Sequence, residues 1–156
     1  TRGAVVDQSL QTGVPGIFAC GNVLHVHDLA DNVTTESEHA GAAAAAYALG
    51  GSANVEPDTA GPGCQLTVSP AGIAGYGLPG RITAVALTKL NFRVRRPVDA
   101  ARVRILAGGE ELFAGKVRAF KPSVMESFPL PAKVIQRALD LGVSEIVLSV
   151  DPVEEA

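Results

Sequence analysis

Hydrophobic and polar positions follow two different patterns along this chain, separated by a polar stretch at residues 52–63. Before that stretch the apolar residues come in short blocks. Ala4-Val5-Val6 is one, and Ile17-Phe18-Ala19-Cys20 is another, set between the turn signal Val14-Pro15-Gly16 and Gly21. A compact apolar block bounded by turn residues reads as a buried strand. After an irregular stretch over 22–32, a helix is expected to begin near Thr34 or Thr35, either of which can cap it. Glu36 and Glu38 would then lie in the first turns, near the positive end of the dipole, and Gly50-Gly51 would end the helix. Its body, Ala40 to Leu49, is almost all small residues, which favour helix and let its axis approach a neighbour closely.

Residues 52–63 are rich in Gly, Pro, Asn, Asp, Ser and Thr and read as a linker. Beyond them the period shortens to two. Phe92-Arg93-Val94-Arg95 and Arg102-Val103-Arg104-Ile105 alternate apolar and basic residues, the pattern of a half-buried strand. Further strands are expected at Leu66–Val68, Ala84–Leu87 running on to Asn91–Arg95, Leu112–Ala114, Lys116–Arg118, Val124–Phe128 and Glu145–Val150. Gly108-Gly109 is a two-residue hairpin turn, and Ala132–Leu141 has helical spacing with a stop at Gly142. The expected class is α+β: a strand–helix unit over 1–51, a linker over 52–63, and a small antiparallel β-sandwich over 64–156.

Composition narrows the function classes. A net charge of -3 and 4% aromatic residues, with no Trp to stack on bases, argue against nucleic acid as a partner. No apolar run approaches the roughly 20 residues of a membrane-spanning helix, so no membrane role is expected. Cys20 and Cys64 form no CxxC and no metal-ligand spacing, and the cytoplasm is the expected compartment. The chain opens Thr1-Arg2-Gly3 without an apolar signal core or an initiator Met, which suggests a fragment or a processed chain.

The segment with most chemical content is Thr12-Gly13-Val14-Pro15-Gly16-Ile17-Phe18-Ala19-Cys20-Gly21-Asn22-Val23, with a helix close behind it. It resembles the last flavin-contacting motif of the FAD/NAD(P)-dependent oxidoreductases related to glutathione and thioredoxin reductase: Thr, then Pro-Gly-hydrophobic-(Phe/Tyr)-Ala-x-Gly-Asp, then a helix. Cys-Gly-Asn-Val-Leu-His-Val-His-Asp followed by Glu-x-x-x-Ala-Gly is similar to a bacterial branch near anaerobic glycerol-3-phosphate dehydrogenase and the opine and amine oxidases. The likeness covers Ala4 to Leu49. It implies that the first unit is the end of an FAD-binding α/β domain, and that the chain is the C-terminal part of an FAD-dependent, NAD(P)-linked oxidoreductase. Gly21 would let the backbone approach the cofactor. Asn22 stands where the family usually has Asp, keeping an acceptor but dropping a charge. The amides of Asp31, Asn32, Val33 and Thr34 would face the electron-rich N1–C2=O edge of the flavin.

No G-x-G-x-x-G follows a strand, so the main dinucleotide cradle would come from elsewhere in the parent flavoprotein. The glycine-rich Gly72–Gly77 precedes Pro79 and a strand, and reads as a turn or bulge. No serine sits in a nucleophile elbow, and the chain alone is expected to be inactive. FAD is expected in the parent and not to be retained by this chain. Partners would be the remainder of the parent or a partner subunit, with a homo-oligomer as a further expectation.

His25, His27 and His39 lie in one stretch with Asp28, Glu36 and Glu38. His-x-His suits a metal on a strand, but no fourth ligand has suitable spacing and the pair is expected in a loop, so no metal is assigned. For His25 and His27 a flavin- or substrate-facing role and a structural hydrogen-bonding role both remain open. Finally, alternation places Arg93, Arg95, Arg102, Arg104, Lys116 and Arg118 outward on successive strands. A basic sheet face would result, either solvated or serving a non-catalytic binding or assembly module.

Overall fold

The computed structural model describes residues 3–50 and 64–153, so the expected linker at 52–63 lies outside the described residues. They form a mixed α/β fold of two helices and nine strands in two sheets, consistent with the α+β class. The strands are β1 (Leu66–Gly72), β2 (Ala74–Leu78), β3 (Arg81–Ile82), β4 (Thr88–Val94), β5 (Val98–Ala107), β6 (Glu110–Ala114), β7 (Arg118–Phe120), β8 (Glu126–Leu130) and β9 (Glu145–Pro152). The helices are α1 (Ala30–Ala48) and α2 (Ala132–Asp140), and Gly21–Val23 makes one 3-10 turn.

The larger sheet runs β3-β1-β9-β5-β6, with β7 also paired to β5; the smaller runs β2-β4-β8. The expectation of a wholly antiparallel sandwich is corrected here: β1 and β9 are parallel, with Val68 opposite Ile146 and Pro70 opposite Leu148. A parallel pair needs a long crossover, and here the rest of the second half, including α2, supplies it. Alternation places Val103, Ile105 and Ala107 of β5, Leu148 and Val150 of β9, and Phe92 and Val94 of β4 in one buried core between the sheets. Val134, Ile135 and Ala138 of α2 are buried in the same core.

Several local expectations shift. Ala84–Leu87 is a series of bends rather than strand, and β4 begins only at Thr88. The helix expected from Thr34 or Thr35 begins at Ala30 instead. Its N-cap is Leu29, with no side-chain cap, while Thr34 and Thr35 bond back to the carbonyls of Ala30 and Asp31. Its end is as expected, with Gly50 at φ +78 just past Leu49. The Ile17–Cys20 block is not a buried strand. It makes one isolated bridge, Gln11 to Phe18, and Ile17 is exposed; its backbone partners among the described residues lie in the 10–12 segment.

The basic face does not form. Arg93 belongs to the smaller sheet, Arg102 and Arg104 to the larger, and Arg95 and Lys116 lie outside the strands. Arg93 pairs with Asp28, Arg104 with Glu111 and Asp151, and Arg118 with Glu126.

Residues 3–50 pack onto the β2–β3 side of the second half. Val6, Leu10, Leu24, Ala40 and Leu78 make a second, smaller core. The Val6 carbonyl accepts the amides of Gly80 and Arg81 at 3.0 and 3.1 Å. The Gln8 amide fits between chain segments: its Oε1 accepts from the Thr83 and Ala84 amides, and its Nε2 donates to the Ala84 carbonyl.

Candidate functional site

Three short elements converge beside this second core: the 3-10 turn, the His25–Asp28 loop that leaves it, and the first two turns of α1. Gly21 opens the turn at φ +70, which strongly favours glycine, and it is buried. A Cβ built there would lie 3.6 Å from Val33 Cγ1, so the turn rests against the start of α1. The Leu24 amide then donates to the Gly21 carbonyl at 2.9 Å and closes the turn. Asn22 is exposed, and its Oδ1 accepts the His27 amide at 3.3 Å.

Glu36, in the second turn of α1, joins these pieces. Its Oε1 accepts the Gly21 amide at 2.6 Å and His27 Nε2 at 3.2 Å, and its Oε2 accepts His25 Nε2 at 3.0 Å. An ionised carboxylate can only accept, so each histidine offers its Nε2 proton to it. The other ring nitrogen of His25, Nδ1, hydrogen-bonds the Tyr76 hydroxyl at 3.0 Å, which reaches over from β2. The two imidazole rings meet edge to face at 4.4 Å between centroids. All three side chains are nearly excluded from solvent, at 1% exposure for His25, 2% for His27 and 8% for Glu36.

Burial opposes ionisation of Glu36, yet the bonds from His25, the Gly21 amide and His27 outweigh it and hold the carboxyl below its ordinary range. At Asp28 burial likewise opposes ionisation. The Met125 amide and the Arg93 guanidinium outweigh it and lower that carboxyl too. Burial pushes the Tyr76 hydroxyl up. Arg93 of β4 also donates to the carbonyls of Val26 at 2.8 Å and Pro122 at 3.0 Å, so it fastens the histidine loop to the second half.

The sequence-assigned residues thus fall into one region. Gly21 and Asn22 form the turn. Asp31 and Asn32 lie in the first turn of α1, where the Asn32 amide donates to the Leu29 carbonyl at 3.2 Å, and Val33 stands four residues after that N-cap carbonyl. Thr34 follows as the fifth helical residue, four residues after Ala30. His39 stands apart, its Nε2 2.7 Å from the Gln8 carbonyl. Sequence reasoning gave Glu36 a dipole role and weighed it among the metal-ligating candidates without assigning it, and it overlooked Tyr76. The spacing from His27 to Glu36 was the signal for the first, whereas nothing local marks Tyr76, which comes from 51 residues beyond His25.

A cavity of about 350 Å³ lies next to the cluster, lined among others by Gln8, His27, Glu36, His39, Thr88 and Lys89. A second hollow on the other side is lined by Asn22, His25, Tyr76 and Arg93. Among the described residues no helix is long and apolar enough to cross a membrane. No family model, curated protein or solved structure matches the chain.

Proposed function

We propose that this chain forms one wall of the flavin site of an FAD-dependent oxidoreductase, with the dinucleotide cradle supplied by the rest of a parent flavoprotein. The observation that carries this reading is the seating of Gly21-Asn22 against an α1 N-terminus that no side chain caps. That arrangement suits the residues present to FAD. The glycine keeps the backbone open, Asn22 is exposed beside it, and the α1 start at Asp31, Asn32 and Val33 presents the positive end of the helix dipole. When bound, FAD would supply the electron-accepting group. The chain's own part is to orient one edge of it and to favour negative charge there.

Exposure supports the same reading. Eight of the twelve exposed large apolar side chains lie in residues 3–50, about a third of the described chain. Val23, Val26 and Leu29 surround the turn and the helix start, each more than 60% exposed. A wall built to meet a further layer of protein or a cofactor leaves such residues uncovered. The rival reading, a binding or assembly module with a basic sheet face, has less support, because the strand-borne arginines are divided between two sheets and three of the six basic residues, Arg93, Arg104 and Arg118, are in ion pairs.

The test is a visible absorbance spectrum of the longer protein that contains this segment, purified beside the chain alone. A yellow, flavin-loaded parent that loses its flavin on Gly21→Val supports the reading. A colourless parent, or one whose flavin survives Gly21→Val in a folded protein, overturns it.

A further inference from the structure

The buried cluster under the 3-10 turn carries more than hydrogen bonding requires. His25, His27 and Glu36 each present one donor atom, and these atoms all lie within 4.8 Å of one another. The nitrogen-to-oxygen separations along Glu36 are 3.0 and 3.2 Å. Ligands bound at about 2.0–2.2 Å to one ion stand roughly 3–3.5 Å apart, so only a small closure would centre a cation among them. The network is also incomplete. His27 Nδ1 is buried without a hydrogen-bond partner among the described residues.

We propose that His25, His27 and Glu36 form a divalent transition-metal site of the zinc class, with two imidazoles and one carboxylate as ligands. Two neutral imidazoles and one carboxylate leave a net charge of about +1 with a divalent ion, which a buried site tolerates better than a bare cation. On binding, the metal replaces the two N–H bonds to Glu36. The His25 proton then sits on Nδ1 and is donated to the Tyr76 oxygen, the outer partner that fixes a ligand ring. The Gly21 amide holds the carboxylate in place. The remaining coordination position opens toward the cavity that His27 and Glu36 line, where water or a small anion can reach it. The ion would tie the turn, the histidine loop and α1 together. The site stands whether or not the chain meets a flavin.

The chain, stripped with chelator under reducing conditions, is titrated with Co²⁺ while its visible absorption is recorded, and Zn²⁺ is then added as competitor. One Co²⁺ per chain is expected, displaced by Zn²⁺. No sulfur-to-metal band should appear, since Cys20 and Cys64 are not ligands. Glu36→Gln and His27→Gln should each weaken binding by more than about 10-fold, Tyr76→Phe by about 10-fold, and His39→Gln not at all. A measurement without variants runs beside it: Zn²⁺ should shift the ring NMR signals of His25 and His27 and leave those of His39 in place. Absence of stoichiometric binding, a thiolate band, or ring shifts that spare His25 and His27 would each overturn the proposal.

Discussion

At the residue scale, backbone conformation and burial decide which positions tolerate change. Gly72 and Gly109 both sit at positive φ, +61 and +85, yet their surroundings differ. A Cβ at Gly72 would lie 2.3 Å from the Val150 carbonyl oxygen, against the backbone of β9, whereas nothing stands within 4 Å of one at Gly109. Gly109→Ala should therefore cost only the left-handed penalty, about 1–2 kcal/mol. Gly72→Ala should cost clearly more, because β1 and β9 must separate to admit it. Urea unfolding of the two variants side by side checks the order, and equal losses would refute it. Cys64 gives a second residue-scale expectation. Burial raises its thiol above the ordinary value of 9.0, so its alkylation, followed by peptide mass spectrometry, should keep accelerating beyond the pH at which a free thiol levels off.

At the scale of elements, α1 departs most from its textual signals, and the departure can be tested. Thr34 and Thr35 look like caps in the sequence, but a threonine inside a helix can equally bond the carbonyl four residues back, as both do. The true N-cap, Leu29, has an extended backbone at φ -131 and ψ 141 and no side chain able to accept. Leu29→Ser should therefore add about 1 kcal/mol of stability to the chain, read as a raised thermal midpoint. An unchanged or lowered midpoint would mean the first-turn amides are already satisfied. The β elements were more legible. Strict alternation placed β4 and β5 because one face of each is buried in the shared core, and Gly108-Gly109 marked the β5–β6 hairpin through the positive φ that both residues adopt. The pairing of β1 with β9 was not legible, since a register between strands so far apart leaves no local trace. Ala84–Leu87 misled for a related reason: an apolar run also serves as a cover, and Val85 packs half-buried on the core while Leu87 faces solvent. At the site, Gly21, Asn22 and the start of α1 could be placed from the motif, but the convergence of His25, His27, Glu36 and Tyr76 depends on β2 docking against the loop.

At the scale of the whole molecule, the two parts of the chain are joined by a series of polar contacts, and one of them depends on pH. The Gln8 amide fastens the Asp7–Gln11 turn to residues 83–88, and Leu78 joins the smaller core. On the other side, Asp28 bridges the Arg93 guanidinium and the Met125 amide. Asp28 is 28% exposed and Arg93 16%, so the pair is partly screened and its contribution modest, about 1–2 kcal/mol. Its sign follows from linkage. A carboxyl whose folded pKa lies below its ordinary value, 3.8 here, gives stability that is fully present above that value and lost as the pH falls through the folded one. Asp28→Asn should therefore lower stability near neutral pH and make little difference in strong acid, where the wild-type carboxyl is itself protonated. Unfolding by urea at neutral pH and again in strong acid, well below pH 3.8, measures both differences. A gap that persists unchanged into acid would assign the role of Asp28 to the shape of the loop rather than to its charge. Loss of the gap would show that the histidine loop is held to the second half by an ion pair, which also fixes the placement of His25 and His27 over Glu36.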